Sequence, residues 1–169
     1  SMLDFLIKIL KAINSNSHPG EIAHAVCCGM ILGFLPKENA LWVILTVFFL
    51  FLRINKVFFV LSTVLFSLLA IILDPFFDQF GFYLLNIDFA RPFFATLLEI
   101  PFVGFTKFNN SIVFGSLISS LIFYVPLYWI VRFLLKEWRT YLLPIVRKTK
   151  LVTIVSKIPL VKKIGAMYE

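Results

Sequence analysis

His24, Cys27 and Cys28 place three soft-ligand side chains within little more than one helical turn, with His18 and Glu21 just before them. Imidazole and thiolate groups bind zinc or copper when their spacing suits the metal. Here no H-E-x-x-H and no paired C-x-x-C is present, and cysteine is also an ordinary small buried residue. The expectation is no metal and no cofactor, with His18 a helix-cap residue. Asp74 and Asp78 are four residues apart, so one helical face would present both carboxylates to a cation or a proton. Pro75 lies between them at the end of an apolar run, and helix termination and capping is the preferred reading. Arg53 and Asn55 stand between two apolar runs. Either they form a short cytoplasmic loop, or they turn inward to meet Asp74 or Glu99, since polar groups at membrane depth seek partners. Asn109-Asn110-Ser111 precedes the longest uncharged run and reads as an N-cap. The other use of such a helix start is to hold a lipid phosphate on its amides. No G-x-S-x-G, Walker A, dinucleotide-binding glycine pattern or Ser-His-Asp set occurs, so no enzyme chemistry is expected.

The elements that must position these groups are unusually apolar. The chain has 169 residues, 60% hydrophobic and 15% charged, where a soluble domain is about half apolar and about a quarter charged. A domain this small has too few polar groups to cover its surface in water. Soluble enzyme, disulfide scaffold and disordered protein are disfavoured, and an all-α integral membrane protein remains. The 21 Phe fit that class without a cofactor, because Phe partitions well into lipid. The two cysteines are adjacent and cannot easily meet disulfide geometry.

Leu3–Ile13 reads as an amphipathic interfacial helix, with Asp4, Lys8 and Lys11 on one face; these charges also argue against a signal peptide. Asn14–Pro19 is a breaker and cap cluster, with Pro19 suited to a first helical position. Ile22–Leu35 and Ala40–Leu52 are uncharged runs around Pro36-Lys37-Glu38-Asn39. At about 20 Å each they fall short of a roughly 30 Å hydrocarbon core. They form either a re-entrant hairpin or two tilted spans, and the hairpin is slightly preferred. Gly29 and Gly33, a G-x-x-x-G, would let its two arms approach closely. Val57–Leu73 is just long enough to span, and Asp74-Pro75 is expected to end it. Residues 74–111 read as interfacial helices and turns. Ile112–Val131 is the surest transmembrane helix, kinked at Pro126. Its start carries Gly115, Ser116, Ser119 and Ser120, a small-residue face for tight helix contact.

The net charge of +7 lies wholly in residues 132–169, which hold nine basic and two acidic residues, while residues 1–131 balance seven against seven. Nucleic-acid binding would need a basic surface too. Beside a span, the same charge marks a cytoplasmic segment facing anionic lipid, so no nucleic-acid partner is expected. Leu151–Ile164 reads as a second interfacial helix. Two regions follow: a membrane domain, 1–135, and a basic amphipathic cytoplasmic tail, 136–169.

Several local patterns occur together and in order: Leu10–Ser15, Pro19-Gly20-Glu21-Ile22-Ala23, Gly29–Pro36, Arg53-Ile54-Asn55, Asp74-Pro75-Phe76 and Phe108–Ser116. The chain thereby resembles the bacterial inner-membrane family known as domain of unknown function 2062, and within it a short stand-alone branch. The resemblance covers nearly the whole chain. It implies an inner-membrane location and supplies no catalytic residues. It also implies a subunit beside envelope machinery, with large periplasmic lipid-transfer proteins of the AsmA-like type as partners. The expected function is a non-catalytic membrane subunit that anchors or gates a larger envelope lipid-transport or assembly machine, with a lipid-binding cleft. The alternative is a small oligomeric transporter or channel. Candidate lipid- or partner-binding residues are Gly29, Gly33, Pro36, Arg53, Asn55, Asp74, Asn109, Asn110 and Gly115.

Overall fold

The computed structural model describes residues 18–142, and the two expected amphipathic segments, Leu3–Ile13 and Leu151–Ile164, lie outside the described residues. The described residues form α1 (Pro19–Phe34), α2 (Ala40–Phe51), α3 (Lys56–Leu85), α4 (Arg91–Glu99) and α5 (Ser111–Glu137), with no strand among them. A 3-10 turn, Val103–Thr106, precedes α5, and a π-helical turn, Trp138–Leu142, follows it. The chain divides into two units, Ser1–Arg132 and Phe133–Glu169, and the packing of α1 to α4, and of α5 as far as Arg132, lies within the first.

Pro19 opens α1, where its missing N–H is one the helix start leaves unpaired anyway. Glu21 follows in the first turn, the positive end of the helix dipole. His18 holds the N-cap position through its backbone carbonyl, which accepts from Glu21 N–H at 2.8 Å; its side chain makes no capping bond. Beyond this start α1 has no polar face: His24 is its one polar side chain, and Ile22–Phe34 is buried apart from the exposed His24 and the half-buried Val26. A helix without a polar face has to lie inside the bundle.

At the far end of α1 the chain reverses around Asn39. Its Oδ1 accepts from Trp42 N–H at 2.8 Å and caps α2, while its Nδ2 donates to Pro36 O at 2.6 Å. Trp42 Nε1 donates to Leu32 O at 3.0 Å and ties the second arm to the first. At the end of α2, Lys56 Nζ donates to the carbonyls of Phe49, Leu50 and Leu52 at 3.2, 2.7 and 2.7 Å. These are carbonyls that a helix C-terminus leaves without internal partners. Glu21 then closes the loop: Arg53 Nε lies 3.5 Å from its carboxylate, and Asn55 N–H reaches its carbonyl at 3.5 Å. The hairpin therefore starts and finishes at one end. Its arms, 16 and 12 residues, are about 24 Å and 18 Å long.

α3 runs parallel to α1, and α5 runs antiparallel to both. Asn55 meets Glu21, Ser62 Oγ donates to Ala25 O at 3.4 Å, and the Phe34 and Phe77 rings pack at a tilt, 5.0 Å between centroids. On α5, Ser111 Oγ donates to Asp78, and Tyr124 OH meets His24 Nδ1 at 2.7 Å. α3 does not stop at Asp74-Pro75, as its sequence suggests. It continues to Leu85 with Pro75 inside it, so residues 74–85 belong to the long helix and only the segment after it is made of a short helix and turns. Proline removes one helical hydrogen bond. That single loss is outweighed because Phe77 and Gly81, one turn apart beyond it, are both buried. Asp74 and Asp78 consequently lie in the helix interior and cap nothing. The helix ends where Asn86 Nδ2 donates to Phe82 O at 2.8 Å.

Two helices, Lys56–Leu85 and the continuous stretch Ser111–Tyr141, are long and apolar enough to cross a membrane. Only 17% and 11% of their most apolar windows is buried inside the bundle. Outward-facing residues include Val64, Ile72, Ile122 and Val125. The core helix of a water-soluble protein would have these faces covered.

Candidate functional site

The helices meet along two seams built on glycine. On α1, Gly29 lies against Phe59 and Ser62 of α3: a Cβ there would sit 2.8 Å from the Phe59 carbonyl oxygen. A Cβ on Gly33 would lie 3.0 Å from the Phe66 and Ser67 backbone. The G-x-x-x-G thus packs α1 on α3, not on its hairpin partner α2. The reason is bulk: α2 faces the turn with Leu41 and Trp42, whereas α3 offers Ser62 and Ser67 at the contact. The second seam joins α3 to α5. A Cβ on Gly81 would lie 2.7 Å from the Ser111 carbonyl carbon, and one on Gly115 would collide with the Phe77 carbonyl oxygen. Small residues that let backbones touch are what holds helices together in lipid, where apolar burial alone gives no driving force.

Around these seams two cavities open. The first is a cleft of about 490 Å³ between α1, α3 and α5. Met30 and Phe34 form one wall, Leu73 and Phe77 a second, Phe123 and Leu127 a third. All of its lining residues are apolar, and Pro126 is among them. The second is a pocket of about 410 Å³ where the α1–α2 turn faces the start of α5, lined by Lys37, Glu38, Asn39, Lys107 and Asn110 above Ile112 and Val113, with Pro36 at its edge.

The expected site residues fall into separate places. Pro36 and Asn110 share the polar pocket. Asn110 is the N-cap of α5: its Oδ1 accepts from Ile112 and Val113 N–H at 3.0 and 3.3 Å. Those amides are therefore already engaged. Asn109 beside it is exposed. Asn55 caps α3, its Oδ1 accepting from Val57 and Phe58 N–H at 3.1 and 3.2 Å. Arg53 pairs with Glu21 and does not meet Asp74 or Glu99, because Asp74 is roughly 30 Å along α3 from that end. Gly29, Gly33 and Gly115 are packing residues. Sequence reasoning missed Gly81, Lys37 and Lys107. Gly81 has no glycine partner at helical spacing in its own helix, and its counterpart Gly115 lies far along the chain.

His24, Cys27 and Cys28 join α1 to α5. Besides the His24–Tyr124 bond, the Tyr128 ring lies 4.6 Å from the imidazole, and Cys27 Sγ donates to Tyr124 O at 3.5 Å. Both thiols are free and buried. Among the described residues no three His, Cys, Asp or Glu side chains come together in a way that would hold a metal. Arg132 lies over the rings of Tyr128 and Trp129 at 5.7 and 5.8 Å, a cationic and aromatic girdle on α5.

Fold and cavities define, among the described residues, an all-α protein with a short apolar hairpin and two membrane-length helices. Residues 5–142 match the family described as "Uncharacterized protein conserved in bacteria (DUF2062)", and the chain belongs to that family. An "Uncharacterized protein" of Treponema pallidum (strain Nichols) is 32% identical over 162 residues, covering 96% of this chain and 100% of the relative. No solved structure matches the chain.

Proposed function

We propose that this protein is a non-catalytic subunit of the bacterial inner membrane that holds a lipid acyl chain in the α1–α3–α5 cleft and anchors or gates a larger envelope lipid-transport or assembly machine. The observation that carries the reading is the cleft itself: every residue lining it is apolar, and it is flanked by two helices with uncovered apolar faces. Such a cavity has nothing to offer a polar solute, whereas an acyl chain fills it without stranding a polar group. In this reading α3 and α5 cross the bilayer, and the α1–α2 hairpin enters from the Arg53 end and returns to it, with its turn reaching the opposite headgroup level. The Arg53 end and the basic stretch from Arg132 onward face the cytoplasm, following the bias of Lys and Arg. A transport site made jointly of Arg53 and Asp74 has no support, because they lie at opposite ends of the hydrophobic part of α3.

The test is lipid content. Protein purified in a mild maltoside detergent is expected to carry glycerolipid at near-stoichiometric amounts by mass spectrometry. Leu127→Trp, which fills the cleft, is expected to lower that amount severalfold while the protein stays monodisperse. A wild-type protein recovered alone and free of lipid, or a Leu127→Trp variant with undiminished lipid, contradicts the reading.

A further inference from the structure

We infer that Lys37 and Lys107 form a binding site for the phosphate of a membrane lipid, in the pocket between the α1–α2 turn and the start of α5. The inference rests on the lipid-binding reading above and adds the headgroup chemistry and the end of the molecule at which it is held.

Two segments far apart in sequence bring one ammonium group each to a single cavity of about 410 Å³. Both lysines are exposed, and neither is in an ion pair among the described residues. Glu38 lines the pocket and Asp74 lies near enough to Lys37 to interact through space, so the two ammonium groups face one carboxylate in the lining and a second beside it. The remaining polar groups are mostly committed. Asn39 spends its side chain on Pro36 and Trp42, and the Asn110 carbonyl oxygen is spent on the α5 cap. The Asn110 amide nitrogen is left as a further donor. Three donor groups, on Lys37, Lys107 and Asn110, on a rim above Ile112 and Val113, suit a ligand with an anionic head and an apolar body. Lysine binds phosphate as a point charge and needs no fixed fork of donors.

The surroundings select a lipid over a free anion. The segment leading to Lys107 displays Phe89, Phe102 and Phe105, which are 88%, 80% and 68% exposed. Aromatic rings uncovered next to the start of an apolar helix sit at the level where headgroups meet acyl chains. Lys107 comes two residues after Phe105, and the uncharged run of α5 starts at Ile112. The ammonium groups are thereby set at phosphate depth, at the opposite end of α3 from Arg53 and Lys56.

Full-length protein in uncharged maltoside micelles is to be titrated with dioctanoyl-phosphatidylglycerol, dioctanoylglycerol and inorganic phosphate, following the thermal midpoint and native mass spectra. The phosphatidylglycerol is expected to bind, and Lys37→Gln/Lys107→Gln to weaken it about thirtyfold, the ordinary strength of two lysine–phosphate attractions at a membrane surface. Lys37→Arg/Lys107→Arg is expected to restore binding. Unchanged phosphatidylglycerol binding in the folded Gln pair overturns the inference. Inorganic phosphate bound as tightly as the lipid overturns the choice of a lipid. Dioctanoylglycerol, which has no phosphate, reports on the apolar cleft alone: its failure to bind counts against the cleft, whereas a Lys-dependent difference between the two lipids still supports the phosphate site.

Discussion

Gly115→Ala is expected to destabilise the folded protein by about 2 kcal/mol, an unusual result for the gentlest of substitutions. Removing a helical glycine would ordinarily gain about 1 kcal/mol of helix propensity. Here the new methyl group meets the Phe77 carbonyl oxygen and lies 2.9 Å from the Gly81 nitrogen, so the backbones of α3 and α5 must separate. Forcing atoms into a closed contact costs roughly 3 kcal/mol, and the clash outweighs the propensity gain. Gly81→Ala, which collides with the Ser111 carbonyl, is expected to behave alike. Gly104→Ala is the control: nothing lies within 4 Å of its would-be Cβ, and its thermal midpoint is expected to match wild type. Thermal midpoints by fluorescence-detected size exclusion in maltoside check all three. Equal midpoints for Gly115→Ala and Gly104→Ala would mean that α3 and α5 do not touch as described.

Phe77→Ala is expected to cost about 3 kcal/mol and to enlarge the cleft. Phe77 is 1% exposed, packs on Phe34 at 5.0 Å between centroids, and walls the cleft. Whatever solvates the outer faces of the bundle, the substitution loses dispersion contacts and leaves an empty volume. The two effects can be separated. Saturating dioctanoylglycerol is expected to raise the thermal midpoint of Phe77→Ala more than that of wild type, because the longer cavity takes more of the chain. A destabilised variant that the diacylglycerol does not rescue would show that Phe77 supports the core without bordering the ligand.

The apolar runs and their breaks were readable directly, and four of the five helices fall where an uncharged run or its continuation lies. The end of α3 was not readable. Asp74-Pro75 is a strong local stop signal, and only the distant contact of Gly81 with Ser111 and Gly115 reveals why the helix continues. The central place of α1 carried a signal that went unused. α1 and α2 are each built on an uncharged run of similar length, yet α1 is rich in Ala, Cys and Gly, whereas α2 has Trp42, Val43, Phe48 and Phe51. Small residues mark the helix that others press against, and large ones mark the outward helix. The G-x-x-x-G was legible as a close-packing device, but its partner helix was not, since spacing within one helix names no neighbour. Lys37 and Lys107 read separately as a turn residue and a loop residue, and only the fold makes them a pair.

Spin labels at Val64 and Ile72 on α3 and at Ile122 and Val125 on α5, introduced in a Cys27→Ala/Cys28→Ala background and reconstituted in phospholipid bicelles, test directly whether acyl chains solvate these faces. All four positions are more than half exposed on the isolated bundle. High accessibility to oxygen and low accessibility to a water-soluble nickel chelate are expected at each, with the reverse at a label on Lys107. Strong quenching by the nickel chelate at Val64 and Ile122 would place these helices in water and contradict the membrane-embedded reading.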